Sequence, residues 1–66
     1  MAWHWRYHAI DGTPASPEAS SEFPTQGDAE TWIGESWREL LDGGVEAVTL
    51  MEDGREVYGP MSLRPA

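Results

Sequence analysis

The 66-residue sequence predicts an α+β domain, in which a three-stranded, mainly antiparallel sheet carries one helix on one face. Three features predict it. Residues 3–8 alternate between aromatic and basic side chains, residues 26–42 carry apolar side chains at helical spacing, and Asp53-Gly54 separates two short apolar segments. The predicted order is strand, long loop, helix, strand, strand. We expect residues 1–66 to form a single small domain, because a chain of this length has room for one core.

The first strand is predicted from the alternation between Trp3 and His8. Successive side chains of a strand point to opposite faces of its sheet. The aromatic positions would therefore face the core: Trp3, Trp5 and Tyr7. The basic positions would face away from it: His4, Arg6 and His8. The next segment, about residues 11–22, is rich in Pro and Ser and has no apolar period, so we expect a flexible loop.

A helix is predicted from about Gln26 to Asp42. Thr25 followed by Asp28 resembles a capping box at its start, and Gly43-Gly44 is a typical stop. One side carries the residues expected to face the sheet: Ala29, Trp32, Ile33, Ser36, Trp37, Leu40 and Leu41. We expect Trp37 to be central to the core. Glu39 and Asp42 lie near the negative end of the helix dipole, an unfavourable placement that would suit acids kept for a partner.

The last two strands are predicted as a hairpin, because Asp-Gly is a strong turn signal between apolar segments. Pairing Glu52 with Arg55 places Leu50 opposite Val57 and Thr49 opposite Tyr58. Val57 would then lie in the core and Tyr58 on the open face of the sheet. The chain is expected to bend after the hairpin at Gly59-Pro60.

The composition excludes several classes of function. Twelve acidic residues face four Arg and no Lys, which gives a net charge of −8. Phosphate backbones and anionic lipids repel a chain with this much negative charge. We therefore expect neither direct nucleic-acid binding nor membrane binding. No apolar segment approaches the ~20 residues of a membrane span, and the expected location is the cytoplasm. The lack of Cys removes disulfides, thiolate metal sites and thiol catalysis.

Catalytic and metal-binding signals are weak. On a strand, His4 and His8 would lie about 13 Å apart at ~3.3 Å per residue, too far for two ligands of one ion. The glycine pairs mark turns, since they lack the spacing and the Lys of a phosphate-binding loop. We therefore expect no metal, no cofactor and no enzymatic activity.

One pattern within about residues 23–63 resembles a known group. It consists of Trp32, Gly34-Glu35, Trp37, Glu39-Leu40-Leu41, Gly44-Val45, Val48-Thr49-Leu50 and Tyr58-Gly59-Pro60-Met61. It resembles small uncharacterised acidic proteins of high-GC actinobacteria, and the use of Arg to the exclusion of Lys is compatible with such a source. That group has no known activity, so the resemblance implies no functional residue.

The open face of the sheet is the predicted partner-binding surface. It would present His4, Arg6, His8, Thr49, Met51 and Tyr58. The predicted function is a non-enzymatic protein-binding or regulatory module, whose partner is another protein or a second copy in a weak homodimer. The alternative is an acidic nucleic-acid mimic that blocks a DNA-binding protein or nuclease. Its carboxylates would come from Glu30, Glu35, Glu39, Asp42 and Glu46.

Overall fold

The fold is α+β, with an antiparallel sheet of four strands. A computed structural model describes residues 2–11 and 13–64. The elements are β1 (Trp3–His8), β2 (Pro14–Ala19), α1 (Gln26–Asp42), β3 (Ala47–Glu52) and β4 (Arg55–Ser62). The strands are ordered β2-β1-β3-β4, and α1 packs on one face of the sheet. The fold class and the single helix are confirmed, whereas the predicted count of three strands is wrong.

The additional strand, β2, lies in the segment predicted to be a flexible loop. It pairs antiparallel with β1, with Arg6 opposite Ala19 and a bulge before the next pair. The backbone N–H of Ser20 donates to the Trp5 carbonyl at 2.8 Å, and the Ser20 hydroxyl accepts from the Trp5 N–H at 2.8 Å. β2 is an edge strand, where prolines are tolerated because one row of N–H groups needs no partner. Gly12, also in the predicted loop, lies outside the described residues.

The contact between Ser20 and β1 gives a direct test of this strand. Replacing Ser20 with Ala leaves the half-buried Trp5 amide without its acceptor, so we expect the free energy of unfolding to fall by about 1–2 kcal/mol. Ser21→Ala is the matched control, because Ser21 is exposed and its loss should change stability by less than about 0.5 kcal/mol. Urea unfolding of both variants measures the difference. Equal stabilities would show that this end of the segment contributes nothing to the fold.

Helix α1 has the predicted bounds and the predicted cap. The Thr25 side chain accepts a hydrogen bond from the Asp28 N–H at 3.1 Å, which satisfies one of the free donors of the first turn. At the other end, the Gly43 N–H donates to the carbonyls of Glu39 and Leu40. The helix is fixed to the sheet by the Trp5 indole, whose N–H donates to the Ala29 carbonyl at 2.9 Å.

The register of the last hairpin differs from the prediction. Glu52 pairs with Arg55 as expected, but two irregularities shift the following pairs, so that Leu50 lies opposite Tyr58. An extra residue in one strand moves every later side chain to the other face. Val57 is consequently 37% exposed instead of buried, and Tyr58 faces the helix. The chain was expected to bend at Gly59-Pro60, and the structure places one of the two irregularities of β4 there, while the strand itself continues through both residues.

The core lies between α1 and the middle of the sheet. Its buried members are Trp5, Tyr7, Ala29, Ile33, Val45, Val48, Leu50 and Leu63. Trp37, expected at the centre, is half-buried at the edge of this cluster. Burial raises the pKa of the Tyr7 phenol.

Within residues 2–11 and 13–64, no helix combines the length and the apolar character needed to cross a membrane.

Candidate functional site

The predicted partner-binding residues do not form one surface. Five of them share the open face of the sheet: His4, Arg6, His8, Thr49 and Met51. Arg6 is exposed, but Thr49 and Met51 are each only 2% exposed. The His8 Nε2 atom lies 2.8 Å from the Thr49 hydroxyl, so this histidine is engaged within the sheet. The open face therefore offers little apolar area to a partner.

Tyr58, the sixth predicted residue, lies on the helix side of the sheet. Its ring meets the Trp5 ring edge-on, with centroids 6.1 Å apart and an interplanar angle of 74°. The side chain remains 38% exposed. Burial and the nearby Glu30 carboxylate together raise the pKa of Tyr58. The electrostatic effect of Glu30 on Tyr58 indicates that the first half of α1 lies on the same side of the sheet as the Tyr58 ring.

An apolar groove runs between α1 and β4, which we call the α1–β4 groove. It has a volume of about 310 Å³ and is lined by Ile33, Gly34, Trp37, Met61, Ser62 and Leu63. Trp37 forms one side, and the Arg38 guanidinium lies 5.2 Å from the centre of its ring, within range of a cation–π contact. Met61 forms the opposite side and is 38% exposed. The groove is at the lower end of the ~300–1,000 Å³ range of ligand pockets.

Gly34 lies on the helical side of this groove, in the middle of α1. A glycine in a helix interior costs roughly 0.5–1 kcal/mol relative to alanine. The fold does not require that cost, because a Cβ placed on Gly34 meets no atom within 4 Å. Its backbone conformation is helical and needs no glycine. What glycine provides here is bare backbone on an exposed helix face, which another chain can approach closely.

Strand β4 carries further exposed apolar side chains. Val57, Tyr58 and Met61 are all more than a third exposed, and all three lie in this edge strand. Tyr58 and Met61 lie on the helix side of the sheet, because they pair with the core residues Leu50 and Val48. The edge itself is a poor template for another strand, because β4 contains two register irregularities and Pro60. A partner is therefore expected to contact the side chains here without extending the sheet.

The acidic residues expected to imitate a nucleic acid are divided between surfaces. Glu46 is held in a two-point ion pair by Arg64, with N–O distances of 2.6 and 2.8 Å. Glu30 lies on the groove side near Tyr58. At 100° per residue, Glu35, Glu39 and Asp42 share the far flank of the helix. The predicted row of five carboxylates is thus reduced to three.

A second hollow, of about 420 Å³, lies at one end of the open face. His8, Glu46 and Arg64 contribute polar groups to its lining. Ile10, in the turn that follows β1, also lines it and is 77% exposed. Arg64 and Glu46 form an ion pair with each other, so neither charge in this hollow is free to bind a charged ligand.

In the described part of the chain, no group of three or more His, Asp or Glu side chains is placed to hold a metal ion.

The glycines of α1 are a sequence signal for the groove, and an analysis of apolar spacing alone overlooks them. Gly27, Gly34 and Leu41 recur every seven residues, which places them on one side of a helix. A glycine inside a strong helical pattern, without a turn to explain it, indicates a packing or functional reason.

Comparisons with protein families, curated proteins and solved structures give no match to this chain. The resemblance to actinobacterial proteins stays a prediction.

Proposed function

We propose that this chain is a non-enzymatic protein-binding module that docks its partner on the α1–β4 groove. The observation that carries the proposal is Gly34, a helix-interior glycine for which the fold itself has no steric need. It lies in an apolar groove whose other side is the exposed Met61. Exposed apolar surface beside bare backbone is typical of a contact site for another protein.

The charge distribution suits the same function. Four of the five acids of α1 lie on the far flank of the helix: Asp28, Glu35, Glu39 and Asp42. They keep the molecule soluble without placing charge in the groove. Interface centres are depleted of charged residues and enriched in aromatic residues, Met and Arg. Trp37, Arg38 and Met61 match that composition.

The nucleic-acid mimic ranks below the binding module. It needs a continuous acidic surface, but Glu46 is held by Arg64 and Glu30 lies on the groove side of α1, apart from the other acids. Carboxylates on a single helix flank are also what a solubilising surface would present. Mimicry would need no exposed apolar side chains on the helix side of the sheet, whereas β4 presents Tyr58 and Met61 there.

Site-specific photo-cross-linking tests the docking site in cells that express the protein. We place a benzoyl-phenylalanine at Met61, and the control variant carries it at Ile10. Ile10 is about twice as exposed as Met61, so random collisions would favour cross-linking at Ile10. Docking on the groove predicts the opposite, a discrete cross-linked product from position 61.

Competition separates specific docking from proximity. Excess unlabelled protein should suppress the product from position 61, and a competitor carrying Gly34→Gln should not, because the added side chain occupies the groove. The mass of the product distinguishes a second copy from a different protein. A product from Ile10 alone, or equal competition by both proteins, would contradict the proposal.

A further inference from the structure

We infer that the occupant of this site is a second copy of the chain, docked so that the two α1 helices cross antiparallel about a two-fold axis at Gly34. The inference rests on the proposed function and names its partner. A two-fold contact is self-complementary, so the helix face must match itself when reversed. The helix face around Gly34 meets that requirement in both charge and size.

Charge is the first match. Glu30 and Arg38 lie four residues before and after Gly34, about 6 Å along the helix axis in each direction. Both are exposed and both lie on the same side of α1 as Gly34. When two antiparallel helices cross at about 50°, their i±4 rows lie along each other. Glu30 of each copy then faces Arg38 of the other, and two ion pairs form. Gln26 donates a hydrogen bond to Glu30 at 2.9 Å, but it is neutral and leaves that charge available.

Side-chain size is the second match. At the axis itself, glycine meets glycine and permits the closest approach of the backbones. Gly27 and Thr31, seven and three residues before Gly34, are small and exposed, so this half of the helix face leaves room for the other helix.

The net charge of −8 does not prevent this contact. Arg38 is the basic residue of α1, and it lies on the contact face, whereas Asp28, Glu35, Glu39 and Asp42 lie roughly 80–140° away around the helix. Salt screens those distant acids, since the Debye length is about 8 Å at physiological ionic strength. The edges of the sheet offer a weaker alternative, because β2 and β4 both carry prolines and irregular pairing.

The dimer is expected to be weak. A stable interface buries about 800 Å² on each partner, which would be about a fifth of the 4173 Å² surface of this protein. One helix face and the neighbouring part of β4 offer less than that. A dissociation constant on the order of 100 µM is therefore expected.

Sedimentation equilibrium of charge variants tests the geometry. Glu30→Arg changes the net charge from −8 to −6, since one negative charge is replaced by a positive one. It should nevertheless weaken the dimer by about 10-fold, because two attractive pairs become repulsive. Glu35→Arg changes the net charge by the same amount on the far flank, and it should leave the affinity unchanged or increase it. Arg38→Glu should weaken the dimer, and the double variant Glu30→Arg/Arg38→Glu should restore it to within about 3-fold.

Each result decides between alternatives. All three substituted positions are exposed, and circular dichroism confirms that the four variants stay folded. A protein that is monomeric at several hundred micromolar would overturn the dimer, and the proposed function would then stand only if position 61 cross-links to a different protein. A dimer that tightens equally with Glu30→Arg and Glu35→Arg would place the contact elsewhere and overturn the Gly34 axis.

Discussion

Replacing Trp5 with alanine is expected to lower the free energy of unfolding by about 3–5 kcal/mol. Trp5 is fully buried, contacts the Tyr58 ring and donates a hydrogen bond to the Ala29 carbonyl. It therefore joins β1, β4 and α1. A chain of this length has a total stability of roughly 3–10 kcal/mol, so the variant should be largely unfolded at 37 °C. Thermal unfolding followed by far-ultraviolet circular dichroism measures the loss.

Trp37→Ala is the matched control for this prediction. Both substitutions remove an indole, but Trp37 is half-buried beside the groove, so its loss should cost about 1–2 kcal/mol. Trp5→Phe keeps most of the buried ring and removes the N–H donor. Its loss in the free energy of unfolding should lie between those of Trp37→Ala and Trp5→Ala. If Trp37→Ala destabilised the protein as much as Trp5→Ala, the helix would be packed through Trp37, and the groove would be part of the core.

The second large effect is expected at Gly59. Its φ angle is 127°, and a Cβ added there would lie 2.9 Å from the Thr49 Cα and 3.0 Å from the Val48 carbonyl oxygen. These are backbone atoms of β3, which cannot move aside cheaply. Gly59→Ala should therefore cost about 2–5 kcal/mol, from the strained backbone and the overpacking together.

Gly34→Ala is the control, because the same change on α1 meets no atom within 4 Å. It should raise the free energy of unfolding by roughly 0.5–1 kcal/mol, measured by urea unfolding at a protein concentration of a few micromolar, where the chain is monomeric. Opposite signs at Gly59 and Gly34 are the expected result. Similar losses at both would mean that Gly34 is required by the fold, and the central support for the docking site would be lost.

Local patterns in the sequence predict much of this fold. The period-two alternation identifies β1, and the cap at Thr25 together with helical spacing gives both ends of α1. Asp53-Gly54 correctly marks the turn between β3 and β4. These features depend on neighbours within a few residues, which is the range over which sequence patterns carry information.

The errors arise where distant contacts decide the structure. β2 is a strand because its backbone pairs with β1, although its two prolines and its serine are typical of a loop. The irregular pairing of β4 cannot be read from an alternating pattern, and it moves Tyr58 to the helix side. The predicted binding surface therefore included a residue from the wrong face, together with Thr49 and Met51, which the sheet buries.

The candidate site was missed for a related reason. A search for apolar periodicity treats Gly34 as an interruption of a helix, whereas the structure shows it to be the exposed wall of a groove. The groove exists only once β4 packs beside α1, a contact between segments more than twenty residues apart. The sequence alone does show that Glu30 and Arg38 lie at equal distances on either side of Gly34. This spacing suggests a two-fold contact only once the structure shows that the three residues lie on an exposed helix face.

Disulfide trapping at position 34 tests the central inference most directly. The described chain contains no cysteine, and neither does the full sequence, so a single introduced thiol reports on one contact. A two-fold axis at Gly34 brings the two Cα atoms within the 4.4–6.8 Å that a disulfide allows. Under mild oxidation, Gly34→Cys should form a covalent dimer much faster than Glu35→Cys, and adding Glu30→Arg should slow it. Equal rates for the two cysteine variants would contradict a dimer centred on Gly34.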